Sequence, residues 1–311
     1  MPWLSALVLP AAVAADLLAG EPPAMLHPVV WMGRMQRFFR KRAPAAPAKA
    51  FAYGLLMAIA GPLLFGGGSF FALHALSRWP LVEAAAAIYL LKSSFAIRAL
   101  ARAAGDVARA LRNSDLPAAR LALRSLVSRD TSALPAPLLA AAAVESVAEN
   151  ASDSVIGPLF FFLVAGVPGA LAYRAANTLD SIIGYHGETE WLGKAAARLD
   201  DALNLIPARL TAALFILASA VCGDSARGAV RVFWRDASVT ESPNAGRPMA
   251  AMAGALGVQL EKVGYYILGK GGALPQPEAI DRSVRLLLVV STVAVVAVFL
   301  IGLNLHAHAP S

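Results

Sequence analysis

The chain has 311 residues, of which 58% are apolar and 15% charged, with a net charge of +7 and a mean hydropathy of +0.61. Ordinary soluble domains carry roughly 25% charged residues, so the composition excludes that class and points to a polytopic membrane protein. Cys222 is the only cysteine, which excludes a disulfide framework and a cysteine-based zinc centre.

A spanning helix needs about 20 mainly apolar residues. Residues 1–19 meet that need, and because a secretory leader opens with basic residues while the first arginine here is Arg34, they are expected to form a retained helix. Arg34, Arg37, Arg40, Lys41, Arg42 and Lys49 follow without an acid. Loops rich in Lys and Arg stay in the cytoplasm, so this loop is placed there. Ala50 to Leu73 holds 24 residues without a charge, predicting an outward span at about 51–76. Arg78-Trp79-Pro80 makes the outer turn, and a third helix at about 81–97 returns. Residues 98–140 then lie inside, with arginines and apolar residues at helical spacing, as an amphipathic helical hairpin on the membrane surface.

Next comes AAVESVAENASDSVIGPLFFFLVAGVPGA, residues 142–170. Residues four apart share a helix face, so Glu145, Glu149 and Asp153 form one acidic stripe with Asn150 beside it. The stripe is either a solvated cytoplasmic face or a ligand set for a hard cation such as Mg²⁺, which takes carboxylate and amide oxygens and is shared with substrate phosphates. Gly166-Val167-Pro168-Gly169 interrupts the apolar run, and Gly with Pro is strong turn punctuation. A fold-back is expected there, with membrane-dipping helices at 155–184 and 205–222. The segment 177–204 opposes this, because Lys194 and Arg198 face five acids. Asn177, Asp180, Ser181 and Gly184 share one helix face on the second arm, which a hairpin would bring beside the acidic stripe. In ARLDDALNLIPARL, Arg198 and Asp201 are one turn apart, as are Asp200 and Asn204, and Arg209 follows Pro207. Charged groups at membrane depth are costly and usually functional.

Other features carry less. GYYILGKG, residues 264–271, matches a phosphate-loop spacing but lacks the Ser or Thr and a preceding strand. Gly66-Gly67-Gly68 suits close helix packing or a bend. Leu286 to Leu303 is an 18-residue uncharged run that predicts a last span at 285–303, and His306 and His308 lie in the tail after it.

Five blocks, in order, are DLLAGEPPAMLHPVVWMG, ESVAENASDSVIGPLF, ALAYRAANTLDSIIGY, ARLDDALNLIPARL and SPNAGRPMAAMAGALGVQL. They resemble the signature blocks of the adenosylcobinamide-phosphate synthase family of cobalamin biosynthesis. The chain departs from those blocks at Glu21, where the family more often shows Asp, and at Arg247, where it more often shows Trp.

The resemblance implies an integral inner-membrane enzyme, one embedded domain over 1–311 with its catalytic motifs in 142–260 and its site facing the cytoplasm. It implies an ATP-consuming amide ligase that joins adenosylcobyric acid to aminopropanol or its phosphate. Mg²⁺ is then the expected cofactor, and the partners are the corrinoid, the amine, ATP, the bilayer and other membrane enzymes of the pathway, with no nucleic acid. Glu145, Glu149, Asp180 and Asp201 become the catalytic candidates, and Glu149, Asp153 and Asp180 the metal ligands. Asp16, His27, Asn150, Asn177, Tyr185, Arg198, Asn204, Arg209 and Asn244 are the candidates for substrate and nucleotide binding. A transporter with a polar site on broken helices is the alternative, although no internal repeat is visible, and a non-catalytic scaffold is a third class.

Overall fold

Helix makes up nearly all the regular structure in the computed structural model, which describes residues 2–184 and 190–307. The order is α1 (Pro2–Ala19), α2 (Pro28–Arg40), α3 (Pro47–Pro62), a π turn at Leu63–Gly67, α4 (Gly68–Leu76), α5 (Pro80–Lys92), α6 (Ile97–Arg112) and α7 (Leu116–Leu123). It continues with α8 (Ala136–Ala151), a second π turn at Ser152–Ile156, α9 (Gly157–Ile183), α10 (Glu190–Val221), α11 (Ala226–Asp236) and α12 (Gly246–Leu256). A small antiparallel hairpin, β1 (Leu260–Lys262) and β2 (Tyr266–Leu268), precedes α13 (Pro277–Ala307). Proline opens α2, α3 and α5, where its missing N–H costs nothing. By length and composition, five stretches can cross a membrane: Pro47–Leu76, Pro80–Arg112, Ala136–Ile183, Glu190–Val221 and Pro277–Leu305. The protein is an all-α polytopic membrane protein.

Two compact units form, one from residues 1–96, 157–204 and 294–311, the other from 97–156 and 205–293. In the first unit α1 packs on α5, while α2 and α3 pack on α9. Met57 and Ala58 of α3, Leu179 and Ile183 of α9, and Leu192 and Ala196 of α10 form a shared core. Gly66, in the first π turn, meets α9 so closely that an added methyl would sit 2.9 Å from the Ala172 Cβ and 3.0 Å from the Pro168 oxygen. Of the three glycines singled out in the sequence, this one permits close packing.

The expected fold-back is present in α9. Ala165 and Gly166 leave helical geometry, Gly166 at φ 63° and ψ −158°, a region that essentially only glycine occupies. The Phe161 and Tyr173 rings stack with centroids 5.0 Å apart, and a methyl on Gly157 would fall inside the Tyr173 ring, 2.7 Å from Cε1. A straight helix would hold residues 157 and 173 about 24 Å apart at 1.5 Å per residue. The two arms of α9 therefore run back along each other, and the absent side chain of Gly157 is what admits the tyrosine.

In the second unit α6 packs on α7 and α8, α11 lies against α12, and both α12 and β1 rest on α8. Leu139 through Ala148 of α8 are all buried. At the start of α13, Arg282 donates to Asp224 Oδ1 at 2.8 and 2.5 Å and to the Leu256 carbonyl at 3.2 Å, while Arg285 reaches Asp224 Oδ2 at 3.1 Å.

Three expected boundaries shift. The helix expected at 81–97 stops at Lys92, where Ser93 and Ser94 turn the chain before α6. The 98–140 region holds the helix pair α6 and α7, and Leu100, Ala104, Val107 and Leu111 of α6 are buried where it packs on α7 and α8. The dipping helix expected at 205–222 is the last part of the 32-residue α10, because the polar residues that made the run look short have partners inside the fold. Tyr185 and His308 lie outside the described residues.

Candidate functional site

Glu145 sits on α8 with 5% of its surface exposed, so the solvated-face reading of the stripe does not hold for it. Arg129, from the segment between α7 and α8, donates through Nη2 to Glu145 Oε2 at 2.9 Å. The other oxygen, Oε1, is buried without a hydrogen-bond partner. Glu149 and Lys262 both lie close enough to act on this carboxylate electrostatically. Tyr266, opposite Lys262 across the β hairpin, feels the same charges: burial and then Glu145 and Glu149 hold its phenol well above the usual range. α8, the 129 segment and the hairpin thus converge on one buried acid, a half-buried second acid, two cations and a phenol.

The remainder of the predicted stripe is arranged differently. Asn150 spends its amide along its own helix, donating to the Ser146 carbonyl at 3.0 Å and accepting from Ser154 Oγ at 3.2 Å. Asp153 falls in the second π turn, which widens the helical repeat, so four-residue spacing no longer keeps it on the line of Glu145 and Glu149. Among the described residues no group of three or more His, Cys, Asp or Glu side chains stands ready for a metal ion.

Arg209 and Asn244 meet in this same unit, with Arg209 Nη1 3.5 Å from Asn244 Oδ1. Asn244 is buried, and Arg209 is exposed on α10.

The first unit holds the other candidates. Asn177 donates to Asp200 Oδ1 at 3.1 Å, Asn204 donates to Asp200 Oδ2 at 2.9 Å, and Tyr173 donates to Asn204 Oδ1 at 2.7 Å. Arg174 completes the row by donating to Asn177 Oδ1 at 3.1 Å. Asp200, next to the predicted Asp201, is thus the acid at the centre of this network. Asp180 and Asp201 are half-buried, and Arg198 is exposed. Asp16 is fully buried against Lys92 at 2.9 Å, and Lys92 also holds Glu21 at 2.9 Å. His27 reaches Glu21 at 2.8 Å through Nε2 and accepts the Val29 N–H at 3.2 Å through Nδ1, which caps α2. Burial pushes the Glu21 carboxyl up, but His27 and Lys92 together hold it below its ordinary value. The predicted residues therefore fall into separate groups: the Glu145 stripe belongs to one unit, and the Asn177 and Asp180 face to the other.

A family model described as "CobD/Cbib protein" matches residues 9–300. The chain belongs to the CobD/CbiB family. "Cobalamin biosynthesis protein CobD" of Dehalococcoides mccartyi is 46% identical to it over 89% of this chain and 90% of the relative. "Probable cobalamin biosynthesis protein CobD" of Pyrococcus furiosus is 41% identical over 95% of this chain and 99% of the relative. "Cobalamin biosynthesis protein CbiB" of Salmonella typhi is 37% identical over 90% and 92%. No solved structure matches this CobD/CbiB chain.

Arg129, Lys262, Tyr266 and Tyr173 were not singled out by sequence reasoning, and Asp200 was noted only for its spacing from Asn204. For the hairpin a signal existed: LEKVGYYIL places a glycine between two short stretches rich in apolar and β-prone residues. The others are brought in by tertiary packing alone.

Proposed function

We propose that this CobD/CbiB chain acts in cobalamin biosynthesis by joining adenosylcobyric acid to (R)-1-amino-2-propanol or its phosphate in an amide bond, with ATP consumed. The names of its relatives support the pathway. The observation that carries the chemistry is Glu145, a buried carboxylate with one oxygen tied to Arg129 and the other without a partner. An amide ligase needs such groups. A carboxylate is a poor electrophile at neutral pH, so its oxygen first attacks the γ-phosphorus of ATP, giving an acyl phosphate and ADP. The amine nitrogen then attacks the acyl carbon, the C–O bond to phosphate breaks, and the nitrogen loses its proton to a base.

Within the second unit, the unpartnered Glu145 oxygen is the acceptor for that proton, placed by Arg129, which fixes the other oxygen. Arg129 and Lys262 supply positive charge for the phosphoryl oxygens, where charge-assisted hydrogen bonds are about twice as strong as neutral ones. Tyr266, kept protonated, donates a hydrogen bond from the hairpin. Mg²⁺ fits this donor set, since it is usually held by one or two carboxylates together with substrate phosphates. Glu149 would hold it together with the phosphate oxygens, and it would screen the triphosphate charge. Asp180, assigned to the metal from sequence, belongs to the other unit and is not used here.

The test is direct. Purified chain in detergent receives ATP, Mg²⁺, the corrinoid acid and either amine, and product is followed by mass spectrometry alongside ADP. Amide formation that depends on ATP is the expected result. A well-folded preparation that makes no amide with either amine refutes the proposal.

A further inference from the structure

Arg209 and Arg247 are held near one another in the second unit, close enough for their charges to repel. Among the described residues neither forms an ion pair with an acid, whereas Arg129, Arg235, Arg282 and Arg285 of the same unit all do. Both are nevertheless positioned. Arg209 Nη1 donates to the Leu205 carbonyl at 2.6 Å. Arg247 donates through Nε to the Pro243 carbonyl at 3.4 Å, with its guanidinium carbon 5.8 Å from the Phe233 ring centroid. With the contact to Asn244 counted, two N–H groups of Arg209 and one of Arg247 are used, out of five on each guanidinium. Asn244, only 4% exposed, stands beside Arg209. Arg247 is also in the first turn of α12, whose N-cap, Ala245, has no side-chain cap, so the positive end of that helix adds to the same field.

Two surface arginines in a basic protein are usually solvated and without a role. Here both guanidinium groups are gathered about one buried amide, Arg209 in contact with Asn244 at 3.5 Å and Arg247 three residues after it at the start of α12, which concentrates positive charge at one place. We infer that Arg209 and Arg247, with Asn244, form a clamp for a phosphate oxyanion. The planar guanidinium fork matches phosphate geometry in bidentate fashion, and two forks from different elements suit the several oxygens of a phosphate ester better than the two of a carboxylate. Arg209 and Asn244 were expected from the family resemblance to bind substrate or nucleotide; their joining with Arg247 into one oxyanion site is the addition, and its test does not depend on amide formation. The phosphate is carried either by a soluble substrate or by an anionic lipid headgroup, and the experiment separates the two.

Purified chain in neutral detergent is titrated with inorganic phosphate at constant ionic strength, with chloride as control, and its melting temperature is read. In a parallel arm phosphatidylglycerol is added to the micelles. A saturable rise with phosphate marks a soluble ligand, and a rise with the lipid alone marks a headgroup. In either case Arg209→Gln and Arg247→Gln should each raise the half-saturating concentration at least tenfold. Should a glutamine variant fail to fold, Arg247→Lys, which keeps the charge and loses the fork, should still weaken the response severalfold. No response above chloride in either arm, or a response unchanged in the glutamine or lysine variants, overturns the clamp.

Discussion

Replacing Lys92 with Met would leave Asp16 buried and without its cation. The side chains of Lys92 and Asp16 are 4% and 0% exposed, and their atoms are 2.9 Å apart. Removing one member of such a buried pair costs about 3–5 kcal/mol, because the remaining charge stays desolvated. The lower end applies here. Glu21, the second partner of Lys92, is 31% exposed and keeps His27, so only Asp16 bears the full penalty. At roughly 2–4 °C per kcal/mol for chains of about 150–250 residues, Lys92→Met should lower the melting temperature by roughly 6–12 °C in detergent. Replacing both members, Lys92→Met with Asp16→Leu, removes both charges from the apolar contact between α1 and α5. Such replacement is often neutral or stabilising, so the double variant should recover most of the loss. Fluorescence-detected thermal unfolding of the two variants and wild type decides the matter. If Lys92→Met melts with wild type, or if the double variant is the least stable of the three, the buried-pair reasoning is wrong.

Glu145→Gln should abolish amide formation while the protein still folds, and Tyr266→Phe should lower kcat more than it changes the KM for either substrate; steady-state assays with a melting control check both. Gly166→Ala puts a Cβ at φ 63° and should destabilise the hairpin of α9 by about 1–3 kcal/mol, read as a lowered melting temperature. Asp236 gives a pH test. The Arg235 side chain holds its carboxyl below the usual carboxylate range, burial opposes this, and the Gly269 N–H adds to the lowering. The folded value being the lower one, the stabilisation is complete above the unfolded value of about 3.9 and fades as pH falls through the folded value. Asp236→Asn should therefore flatten the acid limb of a melting-temperature profile and leave its neutral limb parallel to wild type. An unchanged acid limb would count against the anchor.

Features set by local chemistry could be read from the sequence. The fold-back was legible because Gly166 and Pro168 impose backbone conditions that only a turn satisfies, and the acidic stripe was legible as far as Glu149 because helical periodicity held that far. Asp153 was misplaced once the π turn changed the period. The extent of α10 was misjudged because charge was taken as a helix limit, while Asp200 and Asn204 are satisfied by Asn177 and Tyr173 across the fold. Asp200 and Asp201 point about 100° apart around the helix, and spacing alone does not say which of two adjacent acids meets Asn177, although the Asp200–Asn204 spacing was visible. Arg129, Lys262 and Tyr266 reach Glu145 only through packing of distant segments, and no local pattern announces that meeting.

Asp224 also bears on how the chain is made. Its partners Arg282 and Arg285 follow it by 58 and 61 residues. A nascent chain that has emerged only through α12 therefore holds a carboxylate destined for burial, and a Leu256 carbonyl, with nothing to satisfy either from that side. Both are met once the C-terminal span has been synthesised and inserted. That span is thus the closing piece of its unit, and a ribosome stalled before it leaves a product marked as unfinished by an open acid.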